Sequence, residues 1–584
     1  MSATSRDPIT TEVIRHGLAA ASREMGVTLR KTSCSPIFNE GNDYSCGIFD
    51  ARVELISHGE FLPIHLGSLP FSVRYAIDAF GLDGFEPGDA VLLNDPYRGG
   101  SHLPDVTIVS PIFADDELVG FAANRAHHLD VGGTVPGSFY SHATENYQEG
   151  LRITPVKLQH AGVVDEHLLE LVLNNCRLPR QMRMDLQSQI SANTTAIVRV
   201  RELVQRYGLE TFDGAVDAIL DASERRMRAA ISSWPDGDYE ASDYLDNDGI
   251  SEERREIHVT VRIRGDAAEV DFTGSSPQSA GPVNSVLGYT HAGVYMTFQA
   301  ASDPDISPNS GCYRPISIVA PQGTIVNPRF PAACTGGNEV TLIIHNTVFR
   351  ALAKIPGGRP HVMACDQGSS NNLLIAGSDP RTGERYVLYE YPEGGWGGNR
   401  DRDGLSATFS IAGNTWNIPV EAVERRFPIR MECYELCEDS GGAGIHRGGL
   451  GVRRDYRVLD HTAELSLMGN RALVPPWGLD GGGEGGRADY LLDADTDAER
   501  PAAPKLRSKG TMIALEPGTV VTQVTAGGGG WGDPAQRPPA RVAQDVRLGF
   551  VSVAAARSEY RVAVDERGLI DVDETARLRA GGEA

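Results

Sequence analysis

The sequence predicts an α+β protein: a multi-region mixed fold with a helical middle segment and glycine-rich β regions. Three observations point there. From His167 to about Ser233, apolar positions recur at three and four residues, the period of amphipathic helices, with breaks at Pro179 and Gly208. On both sides of that stretch, short apolar runs alternate or cluster as strands do. The 65 glycines gather mostly after residue 315, in GGWGGNRDRDG, SGGAGIHRGGLG, LDGGGEGGRADY and VTAGGGGWGDP. That is too much glycine for a plain helix bundle, and it suits tight turns and close backbone approaches in a β-rich body.

The elements follow in order. Residues 8–30 carry a helical apolar stripe, and CGIFDARVELISHG reads as a hairpin turning near Asp50, Ala51 and Arg52. A second helix is expected from about Gly67 in IHLGSLPFSVRYAIDAF, then a strand in AVLLND. VTIVSPIF and LVGFAANRAHH form a further hairpin across Ala114, Asp115 and Asp116. After the helical middle, IHVTVRIRG and AAEVDFTG are strands, residues 287–302 are a helix, and everything beyond about 315 reads as short β runs between glycine turns. A chain of 584 residues exceeds one simple core. The expected regions are 1–160, an N-terminal α/β region bearing a metal site; 161–235, helical; 236–430, mixed; 431–570, β-rich; and 571–584, a tail whose final RLRAGGEA is expected to fray.

Composition narrows the function. With 54 basic against 78 acidic residues the net charge is −24, which excludes nucleic acid as a principal partner. No apolar run approaches ~20 residues, so no membrane partner or spanning helix is expected. The start MSATSRDPIT lacks the apolar core of a secretory signal, and the eight cysteines are scattered without a C-x-x-C pair. Reduced thiols and a cytoplasmic location are the expectation. No segment fits G-x-x-x-x-G-K-[ST], so the glycine runs read as structure rather than phosphate cradles.

The densest group of ligand-type side chains lies between Asp95 and Asp130. In NDPYRGGSHLPD, Pro104 between His102 and Asp105 rules out a helix interior and leaves a turn that can aim both at one point. In NRAHHLD, neighbouring strand residues face opposite ways, so His127 and His128 do not both reach one ion. One imidazole could bind while the other, or Asp130, orients it or serves as a general base. Asp43, just before the first hairpin, could complete the set. Two histidines and two aspartates suit Zn, Mn or Fe alike. Glu149 and Arg152 in QEGLR are candidates for substrate contact or for an ion pair.

These segments resemble the hydantoinase B/oxoprolinase family. The resemblance is carried by DPITTEVIRHGLAAASREMGVTLRKTSCSP, DYSCGIFD, LPIHLGSLP, GDAVLLNDPYRGGSHLPDVTIVSPIF, RAHHLDVGGTVPGS, NIPVEAVERRFPIR, SGGAGIHRGGLGV and TAGGGGWGDP, over residues 7 to about 534. It implies that Asp43, His102, Asp105 and His127 are ligands of a divalent metal, which the donor set would suit to Zn, Mn or Fe, while His128 or Asp130 could serve as catalytic general base or orient a ligand. It also implies a hetero-oligomer with a hydantoinase A-type subunit that binds ATP, which fits the absence of a nucleotide motif here. The activity implied is ATP-dependent hydrolysis of a cyclic amide such as a hydantoin or lactam, after phosphorylation of the amide oxygen, by water that the ion activates. The alternative within the same family is ATP-dependent carboxylation of a ketone. An idle scaffold would instead predict full activity after His102→Ala, and a stand-alone metallohydrolase would turn over without ATP.

Overall fold

The computed structural model describes residues 7–580 apart from 60, 304, 358 and 359. Helix α1 (Pro8–Thr32) begins where the Asp7 carboxylate accepts the N–H groups of Ile9 and Thr10, and it buries the stripe Ile14, Leu18, Ala21, Met25 and Leu29. After α2 (Pro36–Asn39), β1 (Tyr44–Asp50) and β2 (Leu55–His58) form the first hairpin. Helix α3 (Pro63–Phe80) starts four residues before the expected Gly67, because Pro63 occupies its first turn, where a missing N–H costs nothing. Strands β3 (Ala90–Leu93), β4 (Asp105–Ala114), β5 (Glu117–His127), β6 (Val156–His160) and β7 (Val163–Val164) complete a seven-stranded sheet. Its order is β2-β1-β5-β4-β3-β6-β7, with every neighbour antiparallel.

The helical middle is α4 (Glu166–Leu173), α5 (Pro179–Tyr207) and α6 (Leu209–Ser232), broken where Pro179 and Gly208 required. Helices α1 and α5 cover one face of the sheet, while α3 covers the other. With both faces buried, β4 and β5 read as continuous apolar runs instead of alternating ones.

A second sheet comprises β8 (Gly237–Leu245), β9 (Arg255–Arg264), β10 (Ala267–Asp271) and β11 (Ile316–Val319), with β10 and β11 parallel. Helix α7 (Leu287–Ala301) lies against α3, and α8 (Ser310–Tyr313) follows it. The first correction to the sequence reading is α9 (Gly337–Leu352), sixteen residues where only β runs were expected. It is buried almost all round and rich in Val, Ile and Thr, so it has neither the one-sided stripe nor the composition of a surface helix.

Strands β12 (Asn372–Ser378), β13 (Arg385–Glu390), β16 (Ala463–Met468) and β19 (Lys509–Leu515) form a third sheet. Helix α10 (Val420–Arg426) leads into a fourth, built from β14 (Ile429–Leu436), β15 (Val452–Val458), β17 (Asp489–Leu492), β18 (Arg500–Pro501) and β20 (Val520–Val524). The C-terminal end is helical, not β-rich: α11 (Pro539–Arg547), α12 (Val553–Ser558) and α13 (Val572–Ala580). Arg577 to Ala580, read as fraying, belong to α13, and the rest of that tail, 581–584, lies outside the described residues.

The glycine segments make the close backbone approaches expected of them. A turn closes at Leu479–Gly482, and elsewhere the segments run beside one another and hydrogen-bond main chain to main chain. Gly398 N donates to Gly529 O at 2.9 Å, Gly528 N to Gly449 O at 2.9 Å, Gly449 N to Trp396 O at 2.8 Å and Gly530 N to Gly483 O at 2.9 Å. A Cβ on Gly528 would sit 2.0 Å from Trp396 O, and one on Gly448 would sit 1.9 Å from Gly528 O. Backbones this close leave no room for any side chain.

Candidate metal centre

Three adjacent strands bring the candidate ligands to one end of the seven-stranded sheet. Asp43 immediately precedes β1, Asp105 is the first residue of β4, and His127 is the last of β5. The register sets Asp105 opposite His127, and His127 N donates to Asp43 O at 3.1 Å. His102 enters from the turn before β4, where Asp105 N donates to His102 O at 3.0 Å. All four side chains are buried.

Asp105 organises the group. Its Oδ2 lies 2.9 Å from His102 Nδ1 and 3.2 Å from His65 Nε2, and it accepts from the hydroxyls of Tyr289, at 2.7 Å, and Ser101. Burial pushes the Asp105 carboxyl up, but the His102 and His65 imidazoles outweigh it and hold the group well below the usual carboxylate range. Burial and then the charge of Asp105 push Asp43 well above its ordinary value. Burial, then His102, push the His127 imidazole well below its own.

The remaining donor atoms are left without partners. Asp43 Oδ1, Asp105 Oδ1, His102 Nε2 and both ring nitrogens of His127 are buried and make no hydrogen bond. Unpartnered buried polar atoms are costly and rare, and several around one point mark a ligand site. They surround a hole of about 40 Å³, also lined by His65, Tyr289, Tyr389, Tyr391 and Thr415. That is room for an ion with a water or two. Anchored through Nδ1, His102 has Nε2 to offer, which is how carboxylate-supported imidazoles bind metals. Among the described residues, no three His, Cys, Asp or Glu side chains are already closed into a metal-binding arrangement. What fits a cation is the donor set and its lack of partners.

His128 and Asp130 are not part of this group. His128 points to the other face of the sheet, where Nε2 meets Gln189 Oε1 at 2.9 Å, as strand alternation requires. Both oxygens of Asp130 are engaged, by the N–H groups of Gly132, Gly137 and Arg177 and by the Arg177 guanidinium. That makes Asp130 the organiser of a loop, with no oxygen left over to act as a base. Glu149 also lies elsewhere, buried and accepting from the main chain of Cys334 and Thr335. Arg152 pairs with Asp95 at 3.5 Å and stacks over Phe330.

Sequence reasoning missed His65, Tyr289 and Arg125. His65 stands in the first turn of α3 and Tyr289 in the first turn of α7, and these helices cross so closely that a Cβ on Gly67 would lie 2.5 Å from Ala292 Cα. Arg125, fully buried, donates to Thr107, Ser68, Ser72 and Gly99 O behind Asp105. A lone arginine in the apolar run of β5 was the available signal. His65 and Tyr289 sit in helical segments that place them only once the helices dock.

A much larger chamber, about 920 Å³, adjoins the hole, and Phe409 and Thr415 line both. All eight cysteines are free, and among the described residues no helix is long and apolar enough to cross a membrane.

Comparison with known proteins places this architecture. A family model described as Hydantoinase B/oxoprolinase matches residues 7–534. The caprolactamase subunit beta of Pseudomonas jessenii is 35% identical over 98% of this chain and 99% of its own. The crystal structure of ATP-dependent caprolactamase from the same organism superposes with a TM-score of 0.90 at 33% identity, covering 99% of this chain and 100% of that one. A nucleotide-free acetone carboxylase structure gives a TM-score of 0.90 at 22% identity over 98% and 83%, a likeness of fold alone. The chain belongs to the hydantoinase B/oxoprolinase family.

Proposed function

We propose that this chain is the metal-bearing subunit of an ATP-dependent enzyme that opens cyclic amides. The observation that carries the reading is the buried ring of unpartnered atoms from Asp43, His102, Asp105 and His127. The relative named caprolactamase subunit beta and the ATP-dependent caprolactamase structure support the substrate class and a second, ATP-binding subunit. This sequence carries no nucleotide motif of its own.

His102 Nε2, a ring nitrogen of His127 and the free oxygens of Asp43 and Asp105 would hold a divalent ion. Bound there, it supplies Lewis acidity, which polarises a carbonyl and acidifies water. The rest falls to the chain's own residues. Asp105 holds His102 through Nδ1 and is itself fixed by Tyr289 and His65, so the donor set is oriented before a substrate arrives. The Tyr391 hydroxyl faces the hole beside Thr415 and can donate to an oxygen gaining charge. Helix α9 and the 409–415 segment line the hole, and the buried setting strengthens each of these contacts. An amide resists hydrolysis through resonance, and phosphorylation of its oxygen in the partner removes that resistance before the substrate reaches this site.

The test is substrate-dependent ATP hydrolysis by the chain purified with its ATP-binding partner. Hydantoins, lactams and ketones would be offered with and without bicarbonate. Turnover of a cyclic amide without bicarbonate, lost in His102→Ala, is the expected result. Turnover of a ketone alone, and only with bicarbonate, would overturn the reading in favour of a carboxylase.

A further inference from the structure

The hole of about 40 Å³ among the candidate ligands is flanked by a far larger space. A side group on a ring held at the hole has that space to enter. The chamber of about 920 Å³ adjoins the hole, and Phe409 and Thr415 line both. That wall is held from behind: Ser410 Oγ lies 3.1 Å from the buried His345 Nε2, and Ala412 O accepts Ile64 N at 3.1 Å.

The chamber's lining is mostly carbon. Phe61, Leu66, Met296, Phe349 and Ile411 face it, with Trp396 fixed by its indole N–H on Phe409 O. Arg400, Asp401 and Arg402 are its arginine and carboxylate groups, and all three are exposed to solvent. A carboxylate carried inside would leave water without a buried cation to meet it, at a cost of several kcal/mol. An alkyl or aryl group would gain about 25 cal/mol for each Å² it buries.

We propose that the chamber holds an apolar substituent of the substrate, so that the preferred substrates are cyclic amides carrying an alkyl or aryl side group rather than a carboxylate. This rests on the cyclic-amide reading above and narrows it. Trapping such a group beside the hole would aim the ring's amide bond inward past Phe409 and Thr415.

The experiment compares 5-benzylhydantoin, unsubstituted hydantoin and 5-oxoproline on the complex of this chain with its ATP-binding partner. Binding is measured by calorimetric titration and turnover by kcat/KM, in the wild type and in Met296→Trp, which fills the chamber. Met296→Phe, a milder filling, is the second variant in case the first fails to fold. The wild type should favour the benzyl compound by about tenfold or more, the scale expected for burying one aromatic group. The variants should shrink that preference. Equal affinity for all three ligands, or a benzyl preference that survives unchanged in both variants, would overturn the chamber's role while leaving the cyclic-amide reading in place. Binding and turnover of none of the three, with a ketone used instead, would remove that reading and this inference together.

Discussion

The end of the seven-stranded sheet and the glycine bundle solve opposite problems with the same buried environment. In the bundle, main-chain groups pair with one another and side chains are excluded: Gly442 N donates to Gly528 O at 2.8 Å, and Gly529 N to Cys365 O at 2.8 Å. At the sheet end, side chains crowd together and five of their donor atoms stay unpartnered. Saturated hydrogen bonding without side chains makes a scaffold that tolerates no substitution. Unsaturated side chains make a site that the fold does not need. The contrast teaches which half of the molecule to damage in order to lose structure and which in order to lose chemistry.

The largest effect should come from the bundle. Gly528→Ala puts a Cβ into Trp396 O with only backbone around it, and should cost more than about 4 kcal/mol. The chain should then fail to fold, or melt far below the wild type in calorimetry. If Gly528→Ala melted normally, the bundle would be looser than described and the contrast would break.

At the other pole, His102→Ala should lower activity by about a hundredfold or more while shifting the stability of the ion-free chain by no more than ~1 kcal/mol in either direction. Chelation should act in the same place. Because only the folded site offers the donor set, restoring the ion at a hundred times its dissociation constant should stabilise the chain by about 2.7 kcal/mol, read as a rise in melting temperature. A chelated protein that melts unchanged on adding Zn, Mn or Fe salts would deny the site its cation.

A third region sharpens the comparison through pH. Glu149 is buried and pushed up to about 7, although the Cys334 and Thr335 N–H groups favour its charge. Its proton is held more tightly in the folded chain than in the unfolded one. It therefore contributes stability that is complete below about pH 4.5 and is lost as pH rises toward 7. The loss should amount to a few kcal/mol and should disappear in Glu149→Gln, measured as denaturant midpoints across pH. The smallest effect is expected at His128. With one hydrogen bond to Gln189 on the far face, His128→Asn should cost about 1 kcal/mol and less than tenfold in activity.

Much of this was legible in the sequence where local chemistry decides it. Pro179 and Gly208 marked the helix breaks, Ala114 to Asp116 marked the hairpin, and Pro104 forced the turn that delivers His102 and Asp105. Alternation correctly sent His127 and His128 to opposite faces. What failed depended on packing between distant segments. Helix α9 carries no stripe because it is covered on nearly every side. The mutual pairing of the glycine runs was not legible because their partners lie far along the chain, as Gly398 does from Gly529. His65 and Tyr289 joined the site only through the crossing of α3 and α7.

The most direct test of the central claim is elemental analysis of the chain purified with its partner, with cyclic-amide-dependent ATP hydrolysis measured on the same samples. The account predicts about one divalent ion per chain in the wild type, and loss of both ion and turnover in Asp43→Ala and His127→Ala variants that still melt as the chelated wild type does. A chain that holds no ion, or that keeps its turnover after losing these two side chains, would contradict it.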